Sequence, residues 1–477
     1  MSEGEVRELV VVGGGPGGYP AAFYAADLGM DVTLVDMEAN PGGVCLYRGC
    51  IPSKALLHAA AVIHEAKAAA AFGVVFGAPA LDVDKLRAWK QSVVARLTSG
   101  LGQLAKARKV RFLQGRARFA DASTLIVANA GGGEERIRFK TAILATGSQP
   151  ARIPIAPDSP RVMDSTGALA LEDIPDRLLV IGGGYIGLEL GQAYATFGSR
   201  VSVVEMLPTL MAGADPDLVK PLVARLKEQF EEIWLETRVL SIAVSGDKVT
   251  VRMADKSGNE TAGTFDRVLI SVGRKPTTGG LGLENTRVQL DSKGFVVVDA
   301  QRRTTEPSIF AIGDVTGQPM LAHKATHEGK VAVEAIAGRK TEYAPRAIPA
   351  VVFTDPEIAW TGLTEREALE QGFAITVSRF PWVASGRATT LDRADGVTKL
   401  ISENGSGRVL GVGITGPGAG EMIAEGTLAI EMGAVAEDLA QTIHAHPTLS
   451  ETLMEAAEDA VGHATHFVSR RHKTSVV

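Results

Sequence analysis

The chain has 477 residues, too long for one ordinary core, so about three or four packed units are expected. Hydrophobic residues make up 45% and charged residues 22%, and 49 basic against 55 acidic residues leave a net charge of -6 with no dense Lys/Arg stripe, which argues against nucleic acid as a partner. No apolar run approaches the roughly 18 residues of a membrane span, and the start, MSEGEVRE, is acidic where a targeting peptide would be basic, so a cytoplasmic protein without membrane association is expected.

In chain order, the first predicted element is a β-α-β unit over residues 9–36: an apolar run, a G-x-G-x-x-G turn, a small-residue helix, and a second apolar run ending in Asp36. Residues 178–205 repeat it without a gap and end in Glu205. Gly13 and Gly182 are expected at the tight turn, Gly15 and Gly184 where a pyrophosphate meets backbone, and Gly18 and Gly187 where helix packs on strand. The helix start would face the phosphates, and each terminal acid would accept hydrogen bonds from a ribose. One such loop is weak support, but two full copies imply two dinucleotides. A carboxylate at Glu205, followed by Met206, Leu207 and Pro208 with no arginine, favours NAD over NADP at the second site.

Between the repeats, residues 42–60 read GGVCLYRGCIPSKALLHAA and hold the chain's two cysteines, Cys45 and Cys50. In a reducing compartment so close a pair is more often catalytic or metal-binding than a structural staple, and two thiolates alone make a poor zinc site, so no metal is expected. Cys50 just precedes Pro52, which suits the first turn of a helix. A helix start and the cation of Arg48 are both expected to favour a Cys50 thiolate.

Further on, IPAVVFTDPEIAWTG predicts strands of an antiparallel sheet, and TLSETLMEAAEDA predicts a helix. Glu451 with Thr448 fits a capping box, and His446 precedes it by five positions. A histidine suits a thiol base, and a carboxylate on its second ring nitrogen would fix the tautomer. Arg470, Arg471 and Lys473 read as a solvated tail.

These residues resemble the FAD-dependent pyridine nucleotide-disulfide oxidoreductases over nearly the whole chain. The resemblance rests on the first glycine loop, C-x4-C-I-P-S-K, ATG at Ala145 to Gly147, the second glycine loop, VGRKP at Val272 to Pro276, IFAIGDV at Ile309 to Val315, and HAHPTLSE at His444 to Glu451. It implies FAD and NAD as cofactors, Cys45 as the interchange thiol, and Cys50 as the charge-transfer thiol beside the flavin. It further implies Lys54 near the flavin, paired with Glu189, and Asp314 on the flavin's ribityl or pyrophosphate region. Thr146, Gly147 and Gly273 join the cofactor-binding set. His446 becomes the acid-base group and Glu451 its orienting partner, acting on the disulfide of the other subunit of a homodimer, with His444 the lesser candidate.

The implied fold is α/β, with two Rossmann-like dinucleotide-binding domains and an α+β C-terminal dimerisation domain. The expected boundaries are 1–148 for FAD, 149–277 for NAD, 278–346 for a central segment completing the FAD site, and 347–477 for the interface domain. Within the family the likeness is greatest to the branch that oxidises dihydrolipoyl groups with NAD. Free dihydrolipoamide or lipoyl carrier proteins are therefore the expected partners, in a 2-oxo acid dehydrogenase complex or the glycine cleavage system. A related NAD(P)H-dependent disulfide reductase and a non-catalytic flavin-binding subunit are the alternatives. Asp36 where glutamate is commoner, and Tyr47 and Arg48 where small or apolar residues are, depart from the pattern.

Overall fold

The computed structural model describes residues 6–468, so most of the acidic start and the tail with Arg470, Arg471 and Lys473 lie outside the described residues. Two compact units form: one from residues up to 174 with 270–344, the other from 175–269 with 345 onward.

In the first unit, strand Arg7–Val12 pairs in parallel with Val32–Asp36 on one side and with Glu134–Leu144 on the other. Arg111–Asp121 and Ile309–Ala311 extend this sheet at either edge. Such a strand must be apolar on both faces. Val10 and Val12 accordingly enter one core with Phe119, Phe139 and Leu144, whereas Leu9 and Val11 enter another with Ala21, Ala22, Ile143 and Phe310. Helix Gly18–Asp27 completes the first β-α-β unit, as its sequence period requires. The two eleven-residue strands run on past the parallel sheet and pair with Thr124–Asn129 as an antiparallel meander.

The second unit repeats the motif with strand Arg177–Ile181, helix Tyr185–Phe197 and strand Arg200–Val204, the two strands parallel. Strand Glu232–Trp234 adds to this sheet, and a separate antiparallel meander covers residues 238–265. After residue 345 comes a five-stranded antiparallel sheet in the order Ala350–Val352, Ile358–Gly362, Val409–Thr415, Val397–Glu403, Ile375–Pro381. Helices Ala419–Met432 and Glu451–Val461 pack on it through Ile423, Ile430, Leu453 and Ala456. No helix among the described residues is long and apolar enough to cross a membrane.

Each unit also buries an ion cluster that a reading of surface charge does not anticipate. In the second, Lys399 meets Asp215 at 2.7 Å, Asp217 at 3.0 Å and Glu365, so an ammonium occupies this group of carboxylates. In the first, fully buried Glu328 binds Arg302 at 3.0 Å, Lys324 at 3.1 Å and the Gly313 N-H at 2.6 Å. Removing one partner of a buried pair leaves an uncompensated charge in a low dielectric. Glu328→Ala is expected to lower unfolding stability by about 3–5 kcal/mol, measured in denaturant; a loss below about 1 kcal/mol would mean the cluster is solvated.

Candidate functional site

The thiol segment is fastened to the first glycine loop. The Gly42 N-H donates to Gly14 O at 2.7 Å, and a Cβ on Gly43 would lie 2.4 Å from Gly15 Cα. Only glycine permits that approach, so the GG pair preceding Cys45 sets the thiols beside a phosphate-type loop. Cys45 sits on the short helix Gly43–Arg48, and Cys50 is the first residue of helix Cys50–Ala68. Cys50 therefore meets the partial positive charge of nineteen aligned peptide units.

The two sulfurs are thiols in hydrogen-bond contact, Cys45 half-buried and Cys50 exposed. The hydrogen bond to Cys50, then burial, then the charge of Cys50 push the Cys45 thiol far up, while the Lys54 ammonium pulls the other way. The guanidinium of Arg48, expected to favour a Cys50 thiolate, is ion-paired with Glu38. Lys54, one turn into the helix, is a cation that acts on Cys45. Tyr47 likewise anchors the segment, its hydroxyl donating to Asn40 O at 3.1 Å. Both departures from the family pattern thus fix the preceding loop.

The first unit also contains Asp36, Thr146, Gly147 and Asp314. Asp36 accepts from the N-H groups of Gly14 at 2.5 Å and Glu38 at 2.8 Å; its burial outweighs those bonds and raises its pKa. Thr146 donates to Thr277 O at 2.8 Å, and the Thr277 N-H returns to Gly147 O at 2.9 Å. Asp314 accepts from the Ser148 hydroxyl, which in turn accepts from Arg274 Nε at 2.7 Å. Sequence reasoning missed Ser148 and Arg274 as site residues, although Ser148 follows the ATG segment and Arg274 lies within VGRKP. Glu328, which holds the Gly313 turn, carried no signal, since a charge in mid-helix reads as surface.

In the second unit Glu205 does what Asp36 does in the first, accepting from Gly183 N-H at 2.6 Å and Leu207 N-H at 2.8 Å. The shorter Asp36 thus still reaches the corresponding loop glycine. Glu189, 3% exposed, accepts from the Phe353 N-H at 2.9 Å. Lys54 belongs to the first unit and Glu189 to the second.

Both loops fit a dinucleotide diphosphate. Gly13 and Gly182 take φ of 104° and 110°, which the turn requires, and a Cβ on Gly18 would fall 1.7 Å from Gly13 O. Beside Gly184, by contrast, nothing lies within 4 Å of a Cβ, so backbone there is open to a ligand. The helices starting at Gly18 and Tyr185 have no side-chain cap, whereas Asp82, Asp164 and Thr364 cap others. An anion at these helix starts would be favoured by the helix dipole, with no side-chain cap competing for the place. Gly273, at φ 110° with open space beside it, shows the same permissive backbone.

The C-terminal pair forms within the second unit. His446 Nδ1 lies 2.8 Å from Glu451 Oε1, and Glu451 Oε2 accepts from the Thr448 N-H at 2.6 Å. The His446 side chain is 77% exposed. The expected capping box is only half made: the helix starts at Glu451, and the Thr448 hydroxyl donates to Ala445 O. Burial pushes the Glu451 carboxyl up, but the Thr448 N-H and the His446 ring outweigh it and hold the group below its usual range. His444 is turned inward, 6% exposed, with Glu425 on one ring nitrogen.

Comparison with known proteins agrees with this layout. A family model described as pyridine nucleotide-disulphide oxidoreductase matches residues 7–329, and the dimerisation domain of that family matches 348–457. A dihydrolipoyl dehydrogenase of Vibrio cholerae is 47% identical over 474 residues, covering 99% of each chain. One of Geobacillus stearothermophilus is 46% identical over 463 residues, covering 97% of this chain and 98% of its own. Among solved structures, LpdA of Mycobacterium tuberculosis superposes with a TM-score of 0.88 at 27% identity, over 95% of this chain and all of that one. The chain belongs to the pyridine nucleotide-disulphide oxidoreductase family.

Proposed function

We infer that the chain is a dihydrolipoyl dehydrogenase: a homodimeric flavoenzyme that oxidises dihydrolipoyl groups to lipoyl groups and reduces NAD. The observation that carries this reading is the thiol pair at a helix start, fastened through Gly42 and Gly43 to the first glycine loop. Full-length relatives of that name support it, and the dimerisation domain supports two copies.

Residues 1–148 and 278–346 would hold FAD through the first glycine loop, Asp36, Thr146, Gly147 and Asp314. Residues 149–277 would hold NAD through Gly182, Gly184, Gly187, Glu205 and Gly273, and residues 347–477 form the interface. Lys54 and Glu189 are assigned as a pair beside the flavin. A cytoplasmic location suits a thiol pair that must be reducible.

In the oxidised enzyme Cys45 and Cys50 share a disulfide. His446 of one subunit takes a proton from a dihydrolipoyl thiol, with Glu451 fixing its tautomer. The resulting thiolate attacks Cys45 Sγ of the other subunit, forming a mixed disulfide and releasing Cys50 as a thiolate. The second dihydrolipoyl thiol, deprotonated in turn, attacks its own mixed-disulfide sulfur. The lipoyl ring closes and Cys45 leaves with the electron pair. FAD, held by the first glycine loop, Asp36, Thr146, Gly147 and Asp314, would supply a two-electron acceptor for the thiols, and NAD, held by the second glycine loop and Glu205, would supply the final hydride acceptor. Cys50, at the helix start, is the sulfur suited to hold negative charge. The substrate's carrier would be a lipoyl protein of a 2-oxo acid dehydrogenase complex or the glycine cleavage system.

Anaerobic mixing of flavin-loaded protein with dihydrolipoamide and NAD tests the reading, because it must yield NADH and lipoamide in equal amounts. No NADH would overturn it. Coenzyme choice follows from Glu205, since like charges held close cost several kcal/mol. The specificity constant is expected to favour NADH over NADPH by about 100-fold or more; a higher constant with NADPH would refute the assignment.

A further inference from the structure

We propose that His444 is a positioning residue for His446, clamping the turn that presents the base. This inference rests on the assignment of His446 made above. Within the turn, Ile443 is 96% exposed, while the His444 ring is folded inward. Its Nδ1 lies 2.8 Å from Thr442 O and its Nε2 lies 2.7 Å from Glu425 Oε1, on helix Ala419–Met432.

A carbonyl can only accept, so Nδ1 must carry a proton. An ionised carboxylate also only accepts, so a second proton lies on Nε2 or between it and Glu425. The pair thus holds one proton more than a neutral ring beside a carboxylate, and both ends of the imidazole are fixed. Charge-assisted bonds of this kind are stronger and more directional than neutral ones.

The other end of the turn is fastened by Glu451 through Thr448, and the Thr448 hydroxyl binds Ala445 O at 2.7 Å. The segment bearing His446 is therefore stretched between two carboxylates from two helices, Glu425 and Glu451. Glu451 also lies close enough to the His444 ring for that ring to favour its ionised form. His446 touches substrate in the proposed reaction; His444 acts only by setting where that ring stands.

The test compares His444→Ala, Glu425→Ala and Glu425→Gln as flavin-loaded dimers. A glutamine amide can donate to Nε2 of a neutral ring while Nδ1-H keeps Thr442, so Glu425→Gln preserves the clamp without the extra proton. Both alanine variants are expected to lose roughly 100-fold in kcat with dihydrolipoamide, the scale of a misplaced catalytic group. KM, flavin content, dimer mass and the NADH-ferricyanide rate, which bypasses the thiols, should hold. Glu425→Gln should recover most of the loss. Unchanged kcat in His444→Ala, an equal loss of the ferricyanide rate, or a Glu425→Gln variant no better than Glu425→Ala would each overturn the proposal. His446→Gln, run alongside, separates the two readings: if it keeps full turnover, the base assignment fails and not merely its positioning.

Discussion

Cys50→Ser is expected to cut dihydrolipoamide oxidation by roughly 10³–10⁴-fold or more, because residues that act as one unit fail together. Serine preserves the size and the helix-start position but cannot form the disulfide that accepts the substrate's electrons. The reduced flavoprotein should also lose its long-wavelength charge-transfer absorption. Cys45→Ser is expected to be equally inactive yet to retain that absorption, since Cys50 at the helix start is the sulfur suited to carry charge. Both variants should keep NADH-ferricyanide activity. If the absorption instead disappeared in Cys45→Ser and survived in Cys50→Ser, the two thiols would have to exchange roles.

His446→Gln comes second in size, at roughly 10²–10⁴-fold in kcat with dihydrolipoamide, the range supplied by general base catalysis. Glutamine can keep a hydrogen bond to Glu451 but takes up no proton, so flavin binding and the dimer should persist. Glu451 is held ionised below the usual carboxylate range by Thr448 and His446. Its depressed pKa means its orienting charge is fully present above that range and fades only as pH falls through the lowered value. A loss of activity on mild acidification is therefore not expected to report protonation of this carboxylate. A Glu451→Gln variant should lose less than His446→Gln; the reverse order would make the carboxylate the base.

Much of this was legible because the informative residues are local in sequence. Each β-α-β unit carries its own strand periodicity, its turn glycines and its closing acid within about thirty residues, and the structure reproduces both copies down to the bond from Gly14 to Asp36 and from Gly183 to Glu205. The thiol pair was visible because the chain has only two cysteines. What escaped depends on contacts distant in sequence. Arg48 adjoins a helix start, and nothing in the segment announces that Glu38 neutralises it. Glu328 reads as an exposed helix charge until Arg302 and Gly313 are brought to it. Motif order does suggest that the segment 278–346 belongs with the first unit, and residues 270–344 do cluster with it, whereas the grouping of 175–269 with 345 onward arises only from tertiary packing. Thr448 and Glu451 match a capping box in spacing, yet the helix begins later than that pattern assumes.

The most direct test is an anaerobic titration of the flavin-loaded dimer with dihydrolipoamide, followed by addition of NAD. Two electrons per subunit should first produce long-wavelength absorption with the flavin still largely oxidised, and NAD should then discharge it with formation of NADH. Flavin that bleaches directly with no such band, or that does not respond to dihydrolipoamide at all, would show that the two sulfurs do not lie in the path of the electrons.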